Sequence, residues 1–525
     1  MKLLIILVLS ALSMTVFSQD WPVKKMVTDK IANRVAFKQL PAFSILANKQ
    51  LPGRGSYLQL NLNASFSLQL LQQKPDAIKL TIPLSSAESI VCNLVRFEMG
   101  NVKFTENNKD EIQDVKIPVT YRGIVEGELL KNTVLLTVNE NYLSLVATLA
   151  DKVIQVTKAD EKASGSYRLY NSTKIQFPVI PFDCSTIDKS TPLINVASPV
   201  AVINRPTAQP GKCVNVFVDC FDSLYQWRNS NTQQTIDYVY ELFNSVTTAF
   251  ANEQVSIQII AINVWTTPDP YRGDTRNNAL ADLADHYKDN FWGNICVGLD
   301  YSISAPRRRS GLASSIGRVK ANQPGSCPSY TVQDNPFCYN DLNYTSIATV
   351  QNFPTGPNTT GAAVYLVTHE MGHLLGSRHT KWCGWKLTAN PDTFGALDSC
   401  GGMEPIVQGG PLCMPGPPPP ATGATIMSYC VSSNAASDFV NFNNGFGLLP
   451  GNAIRAFVAQ ATCIPSCLAC LVLQPNPIND TNAFNHLSPP AWLKKEEETT
   501  VWLRGAGRAA SIPVITDKSF ANFKK

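Results

Sequence analysis

His369-Glu370-Met371-Gly372-His373-Leu374-Leu375-Gly376-Ser377-Arg378-His379 is the stretch on which the reading of this chain turns, because it holds three of only five histidines. His369 and His373 are four residues apart in a segment, 361–375, whose patterning predicts a helix. Both imidazoles then leave one face about one turn apart. That separation suits two ligands of one tetrahedral zinc ion, with Zn–N near ~2.0–2.1 Å. Glu370 lies about 100° further round the helix, where it can reach a metal-bound water without taking a coordination position. Gly376 can adopt a left-handed conformation and end the helix, which returns His379 as a third ligand. Three protein ligands leave a fourth position open for water, as a catalytic zinc site requires. The alternative is surface histidines on an ordinary amphipathic helix. It would account for the first pair alone, but not for Gly376 and His379 at their spacings as well.

Working outward toward the N-terminus, the residues before this helix alternate strand and helix signals. Residues 214–218 (Val214-Asn215-Val216-Phe217-Val218) read as a buried strand. Residues 232–252 place Ile236, Val239, Leu242, Phe243, Val246 and Phe250 at helical spacing. A second strand is expected over 255–265, a helix over 274–291 with Asp274 or Thr275 as N-cap, and a third strand over 294–300. Strand–helix–strand–helix–strand describes an α/β layer with a mostly parallel, twisted sheet. A last helix is expected over 452–461, and 380–450 reads as loop, with a stiff run at 417–420.

Further upstream, 19–205 shows short alternating runs and no helix-length periodicity. Leu58-Gln59-Leu60-Asn61-Leu62, Lys79-Leu80-Thr81-Ile82 and Val134-Leu135-Leu136-Thr137-Val138 each predict a strand with one buried face. Pro192, Pro199, Pro206 and Pro210 then punctuate a linker-like stretch. The expected organisation is a signal peptide over 1–18, a mostly β prodomain-like region over 19–205, a catalytic domain over 206–465 and a Cys-containing tail over 466–525. The leader reading rests on Met1-Lys2, an apolar run from Leu3 to Leu12, and small residues near Ser18; a retained anchor is the alternative.

Bulk numbers narrow the function classes. A 44% apolar and 16% charged composition fits globular domains with real cores, and a net charge of +4 over 525 residues gives no reason to expect nucleic acid. Protein and peptide substrates are the expected partners of a soluble, secreted monomer without stable membrane insertion, extracellular or at the cell surface. Fourteen cysteines in an exported chain predict disulfides. Cys383, Cys400, Cys413 and Cys430 allow three pairings among themselves. Cys327 and Cys338 could close a loop. Cys463, Cys467 and Cys470 include a CxxC for which disulfide bonding, zinc and redox chemistry all stand open.

The string HExxHxxGxxH, followed by Ala424-Thr425-Ile426-Met427-Ser428-Tyr429, resembles the metzincin zinc metalloendopeptidases. The resemblance covers roughly 205–465 and is nearest to secreted reprolysin-like (adamalysin-related) peptidases of bacteria, with Asn441-Phe442-Asn443-Asn444-Gly445-Phe446-Gly447 also similar to that group. It implies an α/β (α+β) catalytic domain with an active-site helix, behind an inhibitory β-rich prodomain. It implies one catalytic Zn²⁺, and Met427 as a hydrophobic base beneath the metal. Calcium is allowed but not indicated. Two departures stand out: Thr380 follows the third histidine where adamalysins typically carry Asp, and Tyr429 stands two positions after the Met. The Met-x-Tyr arrangement is similar to astacins and serralysins, where the tyrosine ligates zinc and swings away to stabilise the oxyanion. Tyr429 is therefore either such a donor or an aromatic lining the cleft.

Gly311-Leu312-Ala313 sits where related enzymes place an antiparallel edge strand that binds peptide by β-augmentation. The preceding Arg307-Arg308-Arg309 reads as a solvated loop or, less simply, as a selector of acidic substrates. Latency in relatives can use a propeptide thiolate in the open zinc position, and Cys184 is the candidate; a Cys92–Cys184 disulfide competes with it. Pro475-Asn476-Pro477 weakly resembles the start of a C-terminal sorting domain. The expected activity is hydrolysis of internal peptide bonds by a zinc-activated water with Glu370 as general base. The rival is a secreted binding or adhesion protein on a metallopeptidase scaffold.

Overall fold

The computed structural model describes residues 22–51, 55–159, 165–175, 183–184, 211–271, 276–287, 293–301, 310–314, 316–317, 319–320, 338–339, 345–350, 358–388, 393–407, 409–420, 423–430, 440–467, 501–505 and 508–512. The expected leader, the linker prolines, the Asp274/Thr275 cap, the Arg307–Arg309 run, Cys327 and the Pro475-Asn476-Pro477 segment lie outside these residues.

The N-terminal half carries β1 (Lys38–Leu40), β2 (Phe43–Leu51), β3 (Gly55–Leu62), β4 (Ala77–Pro83), β5 (Ser89–Phe97), β6 (Lys103–Glu106), β7 (Asp110–Glu111), β8 (Val119–Val125), β9 (Thr133–Asn139), β10 (Tyr142–Thr148), β11 (Val153–Lys158), β12 (Ser166–Ile175) and β13 (Asp183–Cys184). Ten of these form one sheet, ordered β1-β4-β5-β8-β9-β10-β11-β12-β3-β2, antiparallel at every pair except β1 with β4. The three runs singled out by alternation fall in β3, β4 and β9. Their alternate members Leu58, Leu60, Leu80, Ile82, Val134, Leu136 and Val138 share one core.

The region is mostly β, as expected, and adds two short helices that its periodicity did not announce, α1 (Pro22–Ala32) and α2 (Ala64–Gln73). Both are short, so their buried pairs, Val23 with Val27 and Phe66 with Leu70, span barely two turns and leave no sustained period. The local signals of α2 are real nonetheless. The Asn63 side chain accepts from Ser65 N, and Lys74 closes the helix in the left-handed region at φ 40°.

From Cys213 the chain lays down β14 (Cys213–Cys220), α3 (Asp222–Trp227), α4 (Thr232–Asn252), β15 (Ser256–Val264), α5 (Arg276–Tyr287), β16 (Ile295–Tyr301), β17 (Ser310–Ala313), β18 (Val319–Lys320), β19 (Cys338–Tyr339), β20 (Thr345–Val350), α6 (Asn358–Leu374) and, after a long loop region, α7 (Leu448–Gln460). The second sheet is ordered β13-β17-β20-β16-β14-β15-β6-β7. Its centre is parallel, as the βαβ succession requires, while β17 runs antiparallel to β20, as expected for 311–313.

Both flanks of this sheet come from the N-terminal half. Strand β6 pairs in parallel with β15, from Lys103 against Ala261 to Glu106 against Val264, and β13 pairs in parallel with β17. Met99, Val102, Phe104 and Cys184 are buried in the same core as α6. Hydrogen bonds therefore cross the expected division at 205.

Helix α4 is buried on nearly every side because it is sandwiched between the two sheets. Its side toward the second sheet is apolar, but the face toward β8–β10 carries buried, hydrogen-bonded polar groups. Arg122 Nε donates to Asn244 Oδ1 (3.1 Å), its guanidinium also bonds the Thr247 hydroxyl, and it lies 3.3 Å from the Phe97 ring centroid. Glu241 accepts from Ser144 Oγ at 2.7 Å and from the Tyr142 hydroxyl, and Asp237 accepts from Asn139 Nδ2 at 2.7 Å. Breaking such buried partnerships one side at a time is costly, which ties the two halves in one register.

Three disulfides are described: Cys213–Cys467, Cys383–Cys413 and Cys400–Cys430. Two of them choose among the three open pairings. The first removes Cys467 from any CxxC redox pair or zinc knuckle. Cys92 is a buried thiol inside β5, pushed up to about 12 by desolvation, so the Cys92–Cys184 bond is not formed. Apart from all this, Val501–Gly505 and Arg508–Ile512 make an antiparallel hairpin in the tail.

Candidate metal centre and cleft

Helix α6 carries His369 and His373 on one face, and Gly376 (φ +97°) ends it where expected. The turn is closed by Gly376 N donating to His373 O (2.9 Å) and Ser377 N to Gly372 O (2.9 Å). A side chain at Gly376 would also press on Phe457, its Cβ 3.1 Å away. The chain then reverses and delivers His379. All three imidazoles are buried, and their Nε2 atoms converge: His373 Nε2 is 3.2 Å from that of His369 and 2.9 Å from that of His379.

The opposite nitrogen of each ring fixes the tautomer. His369 Nδ1 faces Ile426 O at 2.8 Å, His373 Nδ1 faces Ser377 O at 2.8 Å, and His379 Nδ1 faces Glu404 Oε1 at 2.7 Å. Each acceptor takes an Nδ1 proton, so each Nε2 presents a lone pair to the same point. Burial pushes all three imidazoles below their ordinary range, which keeps them neutral. Three lone pairs this close repel one another unless a cation sits among them. Tetrahedral ligation at ~2.0–2.1 Å places neighbouring nitrogens roughly 3.3 Å apart, near the observed spacings. The donor set fits zinc.

Cys184 enters the same cluster. Its Sγ lies 3.7 Å from His373 Nε2 and 3.5 Å from Glu370 Oε2, and one ligand atom each of Cys184, His369, His373 and His379 falls within 4.8 Å of all the others. Strand β13 brings it there from the flank of β17. Glu370 is buried beside this point and belongs to no ligand position. Its carboxylate abuts the edge strand: a Cβ added at Gly311 would stand 2.4 Å from Glu370 Oε1. The absent side chain at 311 is therefore what makes room for the carboxylate.

Met427 is fully buried under α6, where a Cβ at Gly372 would meet its sulfur at 2.9 Å. Thr380, one of the two departures, donates to Met427 O through its backbone N (3.1 Å) and its hydroxyl (3.3 Å), so it ties the third ligand's segment to the Met turn. Tyr365 OH holds the next carbonyl, Ser428 O, at 2.6 Å. Tyr429 is buried against His379, ring centroids 4.8 Å apart, and its hydroxyl donates to the backbone carbonyl of Cys184. Lys381 Nζ lies 3.4 Å from the Tyr429 ring centroid.

Glu404 escaped the sequence reading. It lies 25 residues beyond His379 in a loop, and no motif points to it. The one signal is that it is the only charged residue between Cys400 and Cys413. Burial opposes its charge, but the hydrogen bond from His379 and the bond and charge of Lys381 outweigh that and hold its carboxyl below the usual range. The buried carboxylate of Asp219 belongs to the scaffold instead. Asn263, Trp265, Tyr271 and Tyr287 all donate to it at the end of β14, far from the histidines in the chain.

Residues 211–442 match the family described as metallo-peptidase family M12 (Reprolysin_5). No curated protein matches the chain. A similar solved structure, described as a chaperone-substrate complex, is 9% identical with a TM-score of 0.22, covering 45% of this chain and 28% of its own. The chain thus spans under a third of that protein's length, and a likeness of this size carries no argument.

Proposed function

Residues 211–442 form a reprolysin-like metzincin domain of metallo-peptidase family M12, a family of peptide hydrolases, and from that premise we propose that the protein is a secreted zinc endopeptidase held latent by its own N-terminal half. The observation that carries this reading is the convergence of three Nε2 lone pairs beside the carboxylate of Glu370. His369, His373 and His379 would hold the ion. Bound zinc would supply Lewis acidity and a water whose pKa falls toward ~7.

The remaining roles belong to side chains of this protein. Glu370 takes the proton of the attacking water and returns it to the leaving amine. Gly311, Leu312 and Ala313 offer an extended edge along which a substrate peptide aligns; the pairing of β13 with β17 supports this, because an extended segment already lies there. Tyr429 OH, which now bonds a peptide carbonyl, donates in the same way to the oxyanion. Met427 forms the floor. Cys184, in reach of both His373 and Glu370, blocks the fourth position and the base together. Export is supported by the disulfides, and no helix among the described residues is long and apolar enough to cross a membrane.

Cleavage-site profiling of the Cys184→Ala chain on a proteome-derived peptide library tests the reading, with Glu370→Ala in the same background as control. Zinc-dependent internal cuts abolished by Glu370→Ala are expected. No cleavage by a folded, zinc-loaded Cys184→Ala chain would favour the binding-protein alternative.

A further inference from the structure

The third histidine is held differently from the other two. His369 and His373 turn Nδ1 to backbone carbonyls, whereas His379 Nδ1 meets the carboxylate of Glu404 at 2.7 Å. His379 also lies beyond the end of α6, so helix geometry does not set its ring orientation as it does for the other two. Glu404 is itself held firmly. Its backbone N donates to Lys381 O at 3.0 Å, its carbonyl accepts from Cys383 N at 2.8 Å, and Lys381 Nζ lies 3.3 Å from the same Oε1 that meets His379. Two disulfides, Cys383–Cys413 and Cys400–Cys430, bind this loop to the segment after His379 and to the residue after Tyr429.

We infer that Glu404 is a positioning residue for the metal centre: its carboxylate fixes the ring plane and tautomer of His379 and strengthens His379 as a ligand. A carboxylate on Nδ1 draws the proton more strongly than a carbonyl does and raises the electron density at Nε2. Lys381 keeps that carboxylate charged and aimed. The inference rests on the zinc-ligand assignment proposed above.

Zinc affinity of the full-length protein, measured by competition with a chromophoric chelator, tests it with Glu404→Gln, Glu404→Ala and His379→Ala beside the parent. Gln keeps the shape of Glu404 and one acceptor oxygen for His379 Nδ1, but exchanges the other oxygen for an amide and removes the charge, so a packing role predicts parental affinity for Glu404→Gln. The positioning role predicts zinc binding weakened about 10-fold in Glu404→Gln and up to about 100-fold in Glu404→Ala, with melting temperatures of the zinc-free chains near parental. Affinity within about twofold of the parent in both Glu404 variants, while His379→Ala loses zinc, overturns the role of Glu404 and leaves the ligand set standing. His379→Ala binding zinc as tightly as the parent overturns the ligand set, and this inference with it.

Discussion

The Tyr429 hydroxyl donates to the backbone carbonyl of Cys184, 245 residues earlier in the chain. On the proposed function, the same phenol would donate to the reacting carbonyl once Cys184 has left the site. In a Cys184→Ala background, Tyr429→Phe is expected to lower kcat by about 10²–10³ with KM and zinc content little changed, the usual cost of one oxyanion donor. Steady-state kinetics with zinc analysis decides it; turnover within about threefold of the background would leave Tyr429 a lining aromatic.

Cys184→Ala removes the sulfur that reaches both His373 and Glu370. If that ligand contributes even about 1.4 kcal/mol to closure, the open fraction rises about tenfold. Initial rates of peptide cleavage by uncut chains should rise by at least that factor. Equal rates for parent and variant, both zinc-loaded, would remove Cys184 from latency.

Gly311→Ala asks for space that Glu370 occupies, since the new Cβ would fall 2.4 Å from its carboxylate. The carboxylate must shift, and the overpacking should cost about 1–3 kcal/mol of stability. We expect kcat to fall about 10–100-fold, because misplacing a catalytic group by about 1 Å can cost 10²-fold, with zinc retained. Parental kcat measured in the Cys184→Ala background would show that Glu370 works from another position.

The zinc-free protein should be acid-sensitive. Burial depresses the folded-state pKa of His369, His373 and His379 from the ordinary 6.5. Above 6.5 both states are neutral at these rings. As pH falls below it, the unfolded chain takes up protons that the folded chain refuses, so stability drops. Melting temperatures of chelator-treated protein should decline from pH 7 to pH 5, more steeply than those of a chelator-treated His369→Gln, His373→Gln, His379→Gln triple variant. Parallel profiles would place the acid sensitivity elsewhere.

Long periodic elements were legible before the structure. Helix α4 spans the expected 232–252, and β14, β15 and β16 fall within a residue or two of their predicted ranges. The histidine cluster was legible because its spacing is set by one helix and one turn. Glu404 was not, because its partnership with His379 exists only after two disulfides fold a loop back. Nor was β6: four residues, Lys-Phe-Thr-Glu, carry too little alternation to announce a strand, and its partner β15 lies about 158 positions away.

That strand and β13 between them cover both outer edges of the catalytic sheet, β15 and β17. Bare edges present rows of unpaired backbone groups that invite pairing with other chains. The N-terminal half leaves the ribosome first, so it can offer these covering strands while the later sheet is still assembling, when aggregation is most threatening. A catalytic segment made alone, from 211 onward, would emerge with both edges bare and without the Phe104 side chain in its core. On the proposed reading, the half of the chain that would hold the enzyme latent is also the half that covers both edges of its sheet.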